Sequence, residues 1–302
     1  MPIEDAHLHF FSKGVLAFYA RQAESLKDAL DPASAAAAAL GIEAPPAEPE
    51  ALAARWVAEL DRHDVSRAVL FGSAPGEQSA VSRAVRAFPD RFVAFQMVNP
   101  RAAEAAALVR SLVEAGIRGI LLFPALHGYY PDDASCRPVY DAAREHGLVA
   151  FVHLGQLKIA IRDRLRVPGR IDPSLGDPVR LGPVLREYSD VTFIVPHFGC
   201  GTLGALLPAI RGVRNLYLDT SSSNAWMAET PELPDLAHVF RAVLDCPDLG
   251  PQRLLFGSDS TVFPRGWRAD IGQQQAAALE SLDVAASERE EIFGGNLRRL
   301  LP

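Results

Sequence analysis

Cysteine is scarce in this sequence. Cys136, Cys200 and Cys246 are odd in number, widely spaced and free of any CxxC pairing. That pattern excludes a disulfide framework and makes a reducing cytoplasm the expected compartment. Long apolar runs are also missing, since no uncharged stretch approaches the ~20 residues of a membrane span. Positive charge is not in excess either: the formal net charge is −7 and the pI is 5.6. Nucleic acid and anionic membrane are therefore poor partners. The opening Met1-Pro2-Ile3-Glu4-Asp5 has neither the basic nor the apolar region of a signal peptide. No Gly-rich dinucleotide loop follows any apolar run, and no repeat recurs at a fixed period. The expectation is a soluble cytoplasmic enzyme with a small-molecule substrate, a homodimer on base rates.

What is present fits one large domain. The chain has 302 residues, 49% of them hydrophobic, and a barrel of ~250 residues plus insertions accounts for that length. Short apolar runs occupy residues 3–8, 68–71, 92–98, 119–123, 148–153, 192–196, 215–219 and 253–257. They lack polar alternation, as strands of a parallel sheet buried on both faces do. Helical stretches lie between them at 102–115, 136–146, 232–244 and 271–282. The first two stop at Gly116 and Gly147, a usual left-handed stop. Eight βα units predict an α/β (β/α)8 TIM barrel across residues 1–302, with an open doubly wound sheet as the structural alternative. Two segments interrupt the alternation. One is an insertion at about residues 10–55, with a helix expected over 15–30 and a proline-terminated alanine tract. The other is a long basic connection at about 154–177, carrying Lys158, Arg162, Arg164, Arg166 and Arg170.

Residues of ligand type close four of the strands: His7 and His9, His153, His197 and Asp259. In a parallel barrel these strand ends open on one face, where active sites lie. His7 and His9, two apart on a strand, point the same way ~6.6 Å apart. Two imidazoles so placed can share one ion. Imidazole with carboxylate suits zinc, and also manganese or iron. A lone HxH is weak evidence; its convergence with three other strand ends gives it weight. His63, His146 and His238 fall in helix-like stretches and are expected to meet solvent, and His127 is ambiguous.

The runs Asp5-Ala6-His7-Leu8-His9, Phe151-Val152-His153-Leu154-Gly155, Pro196-His197-Phe198-Gly199, Leu255-Phe256-Gly257-Ser258-Asp259 and Ile292-Phe293-Gly294-Gly295-Asn296 together resemble the amidohydrolase superfamily. Within it the chain is most similar to amidohydrolase family 2, the branch related to aminocarboxymuconate-semialdehyde decarboxylase. The resemblance implies that His7, His9, His153 and Asp259 bind one divalent ion, most simply zinc with manganese as the alternative. It implies that His197 is a catalytic acid/base or carbonyl polariser, and that the closing helix around Asn296 is structural. Many superfamily members bridge two metals with a strand-four lysine. Here strand four reads Gly119-Ile120-Leu121-Leu122-Phe123, so a single ion is expected. Some members of the family, lactonases in particular, work without a required metal.

Two reactions fit such a site. In hydrolysis of a lactone or other small carbonyl compound, Asp259 takes a proton from water and returns it to the leaving group, while His197 steadies the oxyanion or donates a proton. In non-oxidative decarboxylation of an aromatic or unsaturated acid, the same two residues protonate the carbon that loses CO2. A barrel that binds a ligand without turning it over predicts damaged ligand positions, and none is damaged. Lys158 and Arg162 are candidates to hold a substrate carboxylate. Asn224, Trp226, Arg265 and Trp267, in the loops after strands seven and eight, are candidates to line a pocket. Cys200 lacks a dedicated base and is not expected to act as a nucleophile.

Overall fold

The computed structural model describes residues 2–221, 225–230 and 232–302. The apolar runs become eight parallel strands: β1 (Ile3–His9), β2 (Val65–Gly72), β3 (Phe92–Met97), β4 (Gly119–Leu122), β5 (Val149–Val152), β6 (Phe193–Val195), β7 (Leu216–Asp219) and β8 (Leu254–Leu255). Each pairs with its neighbour in sequence. Beyond β8 the chain runs on beside β1, where Ala6 N donates to Phe256 O and His9 N to Ser260 O, both at 2.8 Å. Those bonds close the sheet, which makes the fold a (β/α)8 barrel and removes the open-sheet alternative.

Most strand residues are apolar because both faces of the sheet are buried, with the polar exceptions concentrated in β1. Val69, Phe71, Phe95, Leu121 and Phe151 fill the barrel interior. Their neighbours Ala68, Leu70, Ala94, Ile120 and Val152 pack outward beneath the helices. Each fully buried phenylalanine stabilises the fold by about 1.5–3 kcal/mol relative to exposure. Leu297 and Leu301, from and just beyond the helix Asn296–Leu300, join the interior cluster. Asn296 holds that helix in place by donating to Pro251 O at 2.8 Å and Leu254 O at 2.7 Å. Gly116 and Gly147 take positive φ, 79° and 63°, just past the helices Ala105–Glu114 and Arg137–Glu145. Among the described residues no helix is long and apolar enough to cross a membrane.

The insertion differs from the expected single helix over 15–30. Helix Lys13–Gln22 ends early, and a second helix, Pro32–Leu40, starts afresh. The reason is local: Asp31 caps Ser34 N, and Pro32 at the first helical position cannot continue a preceding helix. A third helix, Pro49–Asp61, returns to the barrel wall, where Trp56 and Leu60 enter the main core. Only the first two helices stand above the barrel. They meet helix Ala160–Leu165 from the long connection after β5. Val15, Leu16, Ala36, Ala37, Ile161 and Leu165 form a small separate core there, which roofs the C-terminal face.

Candidate active site

β1 carries His7 and His9 to the barrel mouth on one face of the strand, with Nε2 atoms 3.3 Å apart. Asp259 Oδ1 lies 3.7 Å from His7 Nε2 and 3.3 Å from His9 Nε2. One ligand atom from each of these three residues falls within 4.8 Å of the others. His153 stands on the same wall but outside that tight group; its ring stacks on Phe123 at 5.8 Å, and its buried Nδ1 has no hydrogen-bond partner. His197 lies between, with its ring centroid 5.1 Å from both His7 and His153. All five strand-end residues therefore converge, three closely and two beside them.

The far side of three of the four imidazoles is occupied. His7 Nδ1 donates to Asp219 Oδ2 at 2.6 Å, since a carboxylate can only accept. His9 Nδ1 meets Ser73 Oγ at 2.6 Å. His197 Nδ1 donates to the Ser221 carbonyl at 2.8 Å. His7 and His9 both turn Nε2 toward the Asp259 carboxylate, and those two nitrogens would be the ligand atoms once an ion displaces any proton they carry. Two imidazole nitrogens, one carboxylate oxygen and the orphaned His153 beside them fit a single divalent ion.

Burial and charge set the protonation of the cluster. Burial alone would lower His7, but the charge and hydrogen bond of Asp219 outweigh it and hold the ring above its usual range. His9 is lowered, by burial and by the neighbouring His7, against the pull of Asp259. Burial, then the charges of His197 and His7, push His153 far down. Burial followed by His7 lowers His197. Burial would raise Asp259, yet the His9 hydrogen bond and the surrounding histidines hold its carboxyl far below the ordinary range. His197 and Asp259 both have positive φ, 55° each. Left-handed backbone at a non-glycine residue costs about 1–3 kcal/mol and persists where surrounding structure enforces it. For Asp259 that enforcement comes from Asp5, fully buried, which accepts from His7 N at 2.9 Å and from Ser258 N at 3.0 Å.

A cavity of about 700 Å3 opens from this cluster toward the roof. Phe11, Phe123, Phe151, Leu157 and Ile161 form its apolar walls, and Lys158, Arg164, Arg265 and Arg268 are the cations on them. Asp259 is the one acidic residue among its described lining. Arg268 pairs with Asp270 at 3.1 Å, and Arg164 donates to the Leu40 carbonyl. Arg265 donates to Thr261 Oγ1 at 2.6 Å, and no described carboxylate lies within salt-bridge distance of it.

Other candidate residues take different places. Arg162 is buried, turned onto the carbonyls of Pro168 and Gly169 at 2.9 and 3.3 Å, and does not line the cavity. Arg164, two residues on in the same helix, reaches the cavity instead. Trp226 packs into the main core beside Phe198. Trp267 is also off the cavity, donating through Nε1 to Asp5 Oδ2 at 2.8 Å. Cys200 is buried, and Asn224 lies outside the described residues. His238 is exposed in a helix, and His63 and His146 are partly exposed at helix ends.

Sequence reasoning missed Asp5, Ser73, Asp219 and Ser221. Asp5 shares the strand parity of His7 and His9, and Asp219 ends β7 as the ligands end theirs, so both carried a signal. Ser73 and Ser221 carried none, because serines are common in loops.

The amidohydrolase family matches this chain over residues 5–302. A search of curated proteins finds no match. Among solved structures the chain resembles an uncharacterised TIM-barrel protein from Bordetella bronchiseptica, with 20% identity, coverage of 100% and 98% of the two chains, and TM-score 0.66. It also resembles a probable 2-pyrone-4,6-dicarboxylic acid hydrolase from Acinetobacter baumannii with citric acid bound (17%, 99% and 99%, TM-score 0.63). A third is a 5-carboxyvanillate decarboxylase from Novosphingobium aromaticivorans complexed with manganese and 4-hydroxy-3-methoxy-5-nitrobenzoic acid (18%, 99% and 95%, TM-score 0.62).

Proposed function

Because this chain belongs to the amidohydrolase family and is an enzyme, we propose that it hydrolyses a small carboxylate-bearing carbonyl compound such as a lactone. The observation that carries this reading is the placement of Asp259. Its carboxylate lies 3.3 Å from His9 Nε2 and 3.7 Å from His7 Nε2, and it faces the cavity beside His197. A carboxylate so placed can take the proton of a water that attacks a substrate carbonyl. His7, His9, Asp259 and His153 would hold one divalent ion, most simply zinc, with manganese as the alternative. When bound, that ion supplies Lewis acidity that polarises the carbonyl and acidifies water.

The residues do the rest. Asp259 accepts a proton from the attacking water and returns it to the oxygen that leaves as the C–O bond breaks, so one water is added overall. His197, neutral and with its Nδ1 proton committed to the Ser221 carbonyl, presents a bare Nε2. That atom accepts a hydrogen bond from the water and aligns it. In this arrangement His197 is an acceptor rather than a proton donor or oxyanion stabiliser. Arg265 and Lys158 are our candidates for the substrate carboxylate, with Arg164 in the place expected of Arg162.

Decarboxylation is the second reading, favoured by the aromatic walls Phe11, Phe123 and Phe151, which suit a flat ring. It needs an acid to protonate carbon, and an Asp259 held ionised is poorly suited to give one. A panel of carboxylated lactones and of hydroxybenzoates separates the two, with ring opening and CO2 release followed together. Ring opening without CO2 is expected. Stoichiometric CO2 from a hydroxybenzoate, with every lactone inert, would sink the hydrolytic reading.

A further inference from the structure

Two of the site's imidazoles lean on one short turn. At the end of β7, Asp219 accepts from His7 Nδ1 through Oδ2, and from Ser221 N through Oδ1 at 2.7 Å. Ser221 in turn donates its hydroxyl to Asp219 Oδ2 at 3.0 Å. Its carbonyl takes the Nδ1 proton of His197, whose nitrogen also lies 3.0 Å from Ser221 Oγ. The residue between them is clamped from behind. Thr220 Oγ1 donates to Gln275 Oε1 at 2.7 Å, and Gln275 Nε2 donates to Thr220 O at 2.8 Å. Asp219, Thr220, Ser221 and Gln275 are all buried. We propose that the turn Asp219-Thr220-Ser221, anchored by Gln275, is a single positioning device that fixes the metal-site imidazole of His7 against His197.

Gly257 supports the idea from the other side. A β-carbon there would stand 2.5 Å from Asp219 Oδ1, 2.8 Å from Ser221 Cβ and 2.9 Å from His7 Cβ. The turn, β1 and the chain leading to Asp259 thus meet so closely that only a glycine fits. Packing of that tightness lets no member shift alone. Both imidazoles keep their tautomer and their separation because one turn accepts both Nδ1 protons, Asp219 that of His7 and the Ser221 carbonyl that of His197.

The His7 half of the inference rests on the proposed metal site and is read without any substrate; the His197 half rests on the proposed reaction. Mn2+ affinity is measured by chelator competition on the full chain, with thermal unfolding to show that each variant is folded. Asp219→Asn replaces one acceptor oxygen with a donor and is expected to weaken Mn2+ binding about 10–100-fold. Gln275→Leu touches neither histidine, so it carries the test should Asp219→Asn not fold. It is expected to weaken Mn2+ binding several-fold. Ser221→Ala keeps the carbonyl that takes the His197 proton and removes the hydroxyl that lies 2.9 Å from His7 Nδ1 and 3.0 Å from His197 Nδ1. It is expected to weaken Mn2+ binding a few-fold, and Ser221→Thr to restore it. Wild-type Mn2+ affinity in folded Asp219→Asn, or in Gln275→Leu, overturns the proposal for His7. Gln275→Leu, which frees the turn that carries the Ser221 carbonyl, is expected to lower kcat at saturating Mn2+ with KM unchanged, and wild-type kcat there overturns the proposal for His197. Absence of lactone turnover by the wild type would count against hydrolysis while leaving the Mn2+ results to decide.

Discussion

The indole of Trp267 donates to Asp5 Oδ2 at 2.8 Å. The same carboxylate accepts backbone N–H groups of His7 and Ser258. One buried group thereby ties β1 to both ends of the loop that carries Asp259 and Arg265. Trp267→Phe keeps most of the ring volume and deletes one donor to a buried carboxylate. The expected cost is about 1–3 kcal/mol, read as a lower midpoint in urea unfolding, with kcat falling more than KM rises because Asp259 loses its brace. A variant as stable and active as the wild type would show that the indole only fills space.

The cations at the cavity make opposite predictions for two arginines. Arg265 faces the cavity without a described carboxylate partner. Arg265→Gln is expected to raise KM for a carboxylate-bearing substrate about 10–100-fold with kcat little changed, the size of one lost charge-assisted bond. Arg162 spends its guanidinium on the Pro168 and Gly169 carbonyls. Arg162→Gln is expected to lower stability and leave KM within a few-fold. Steady-state kinetics on both variants checks this, and the reverse pattern would return the clamp to Arg162.

His127, which packs against Phe123 as His153 does, gives a dependence on pH of its own. Burial lowers its pKa from 6.5 to about 4, and its Nδ1 has no partner. The unfolded chain therefore binds the proton first as pH falls. Stability is complete above pH 6.5, is lost between 6.5 and 4, and is not lost further below. Between pH 7 and 5 the loss is about 2 kcal/mol. His127→Phe removes the titrating group, so the difference in unfolding free energy between variant and wild type should grow by that amount over this interval. A difference independent of pH would mean that His127 protonates freely in the folded state.

The barrel was legible because its strands are buried on both faces, which leaves unbroken apolar runs such as 119–123 that helices seldom show at that length. The convergence of the candidate ligands was legible because parallel strands end on one face, so His7, His153 and Asp259 needed no three-dimensional information to be placed together. The two-helix roof was harder to read. Alanine propensity favours one long helix, whereas the first helix stops at Gln22 and the second restarts at Pro32 behind the Asp31 cap. Arg162 and Arg164 could not be told apart, since only the rotation of a six-residue helix decides which of them meets the cavity. Ser73 reaches His9 from 64 residues away, and Ser221 reaches His7 and His197 from 214 and 24 residues away, and no local pattern marks such contacts.

His153 allows the donor set to be tested one residue at a time. The tight group is His7, His9 and Asp259, with His153 outside it and an unpaired Nδ1. If these four residues hold one ion, protein purified without added metal or chelator should carry about one equivalent by elemental analysis. The double variant His7→Ala/His9→Ala should carry none, since two of its three close donors are gone. His153→Ala should still load in excess metal, because the tight group survives, but lose it to a competing chelator far sooner than the wild type. Equal retention by His153→Ala and wild type would confine the ion to the three-residue group and free His153 to act on substrate. A metal-free wild type with full turnover would remove the ion from the reaction altogether and leave Asp259 as base without it.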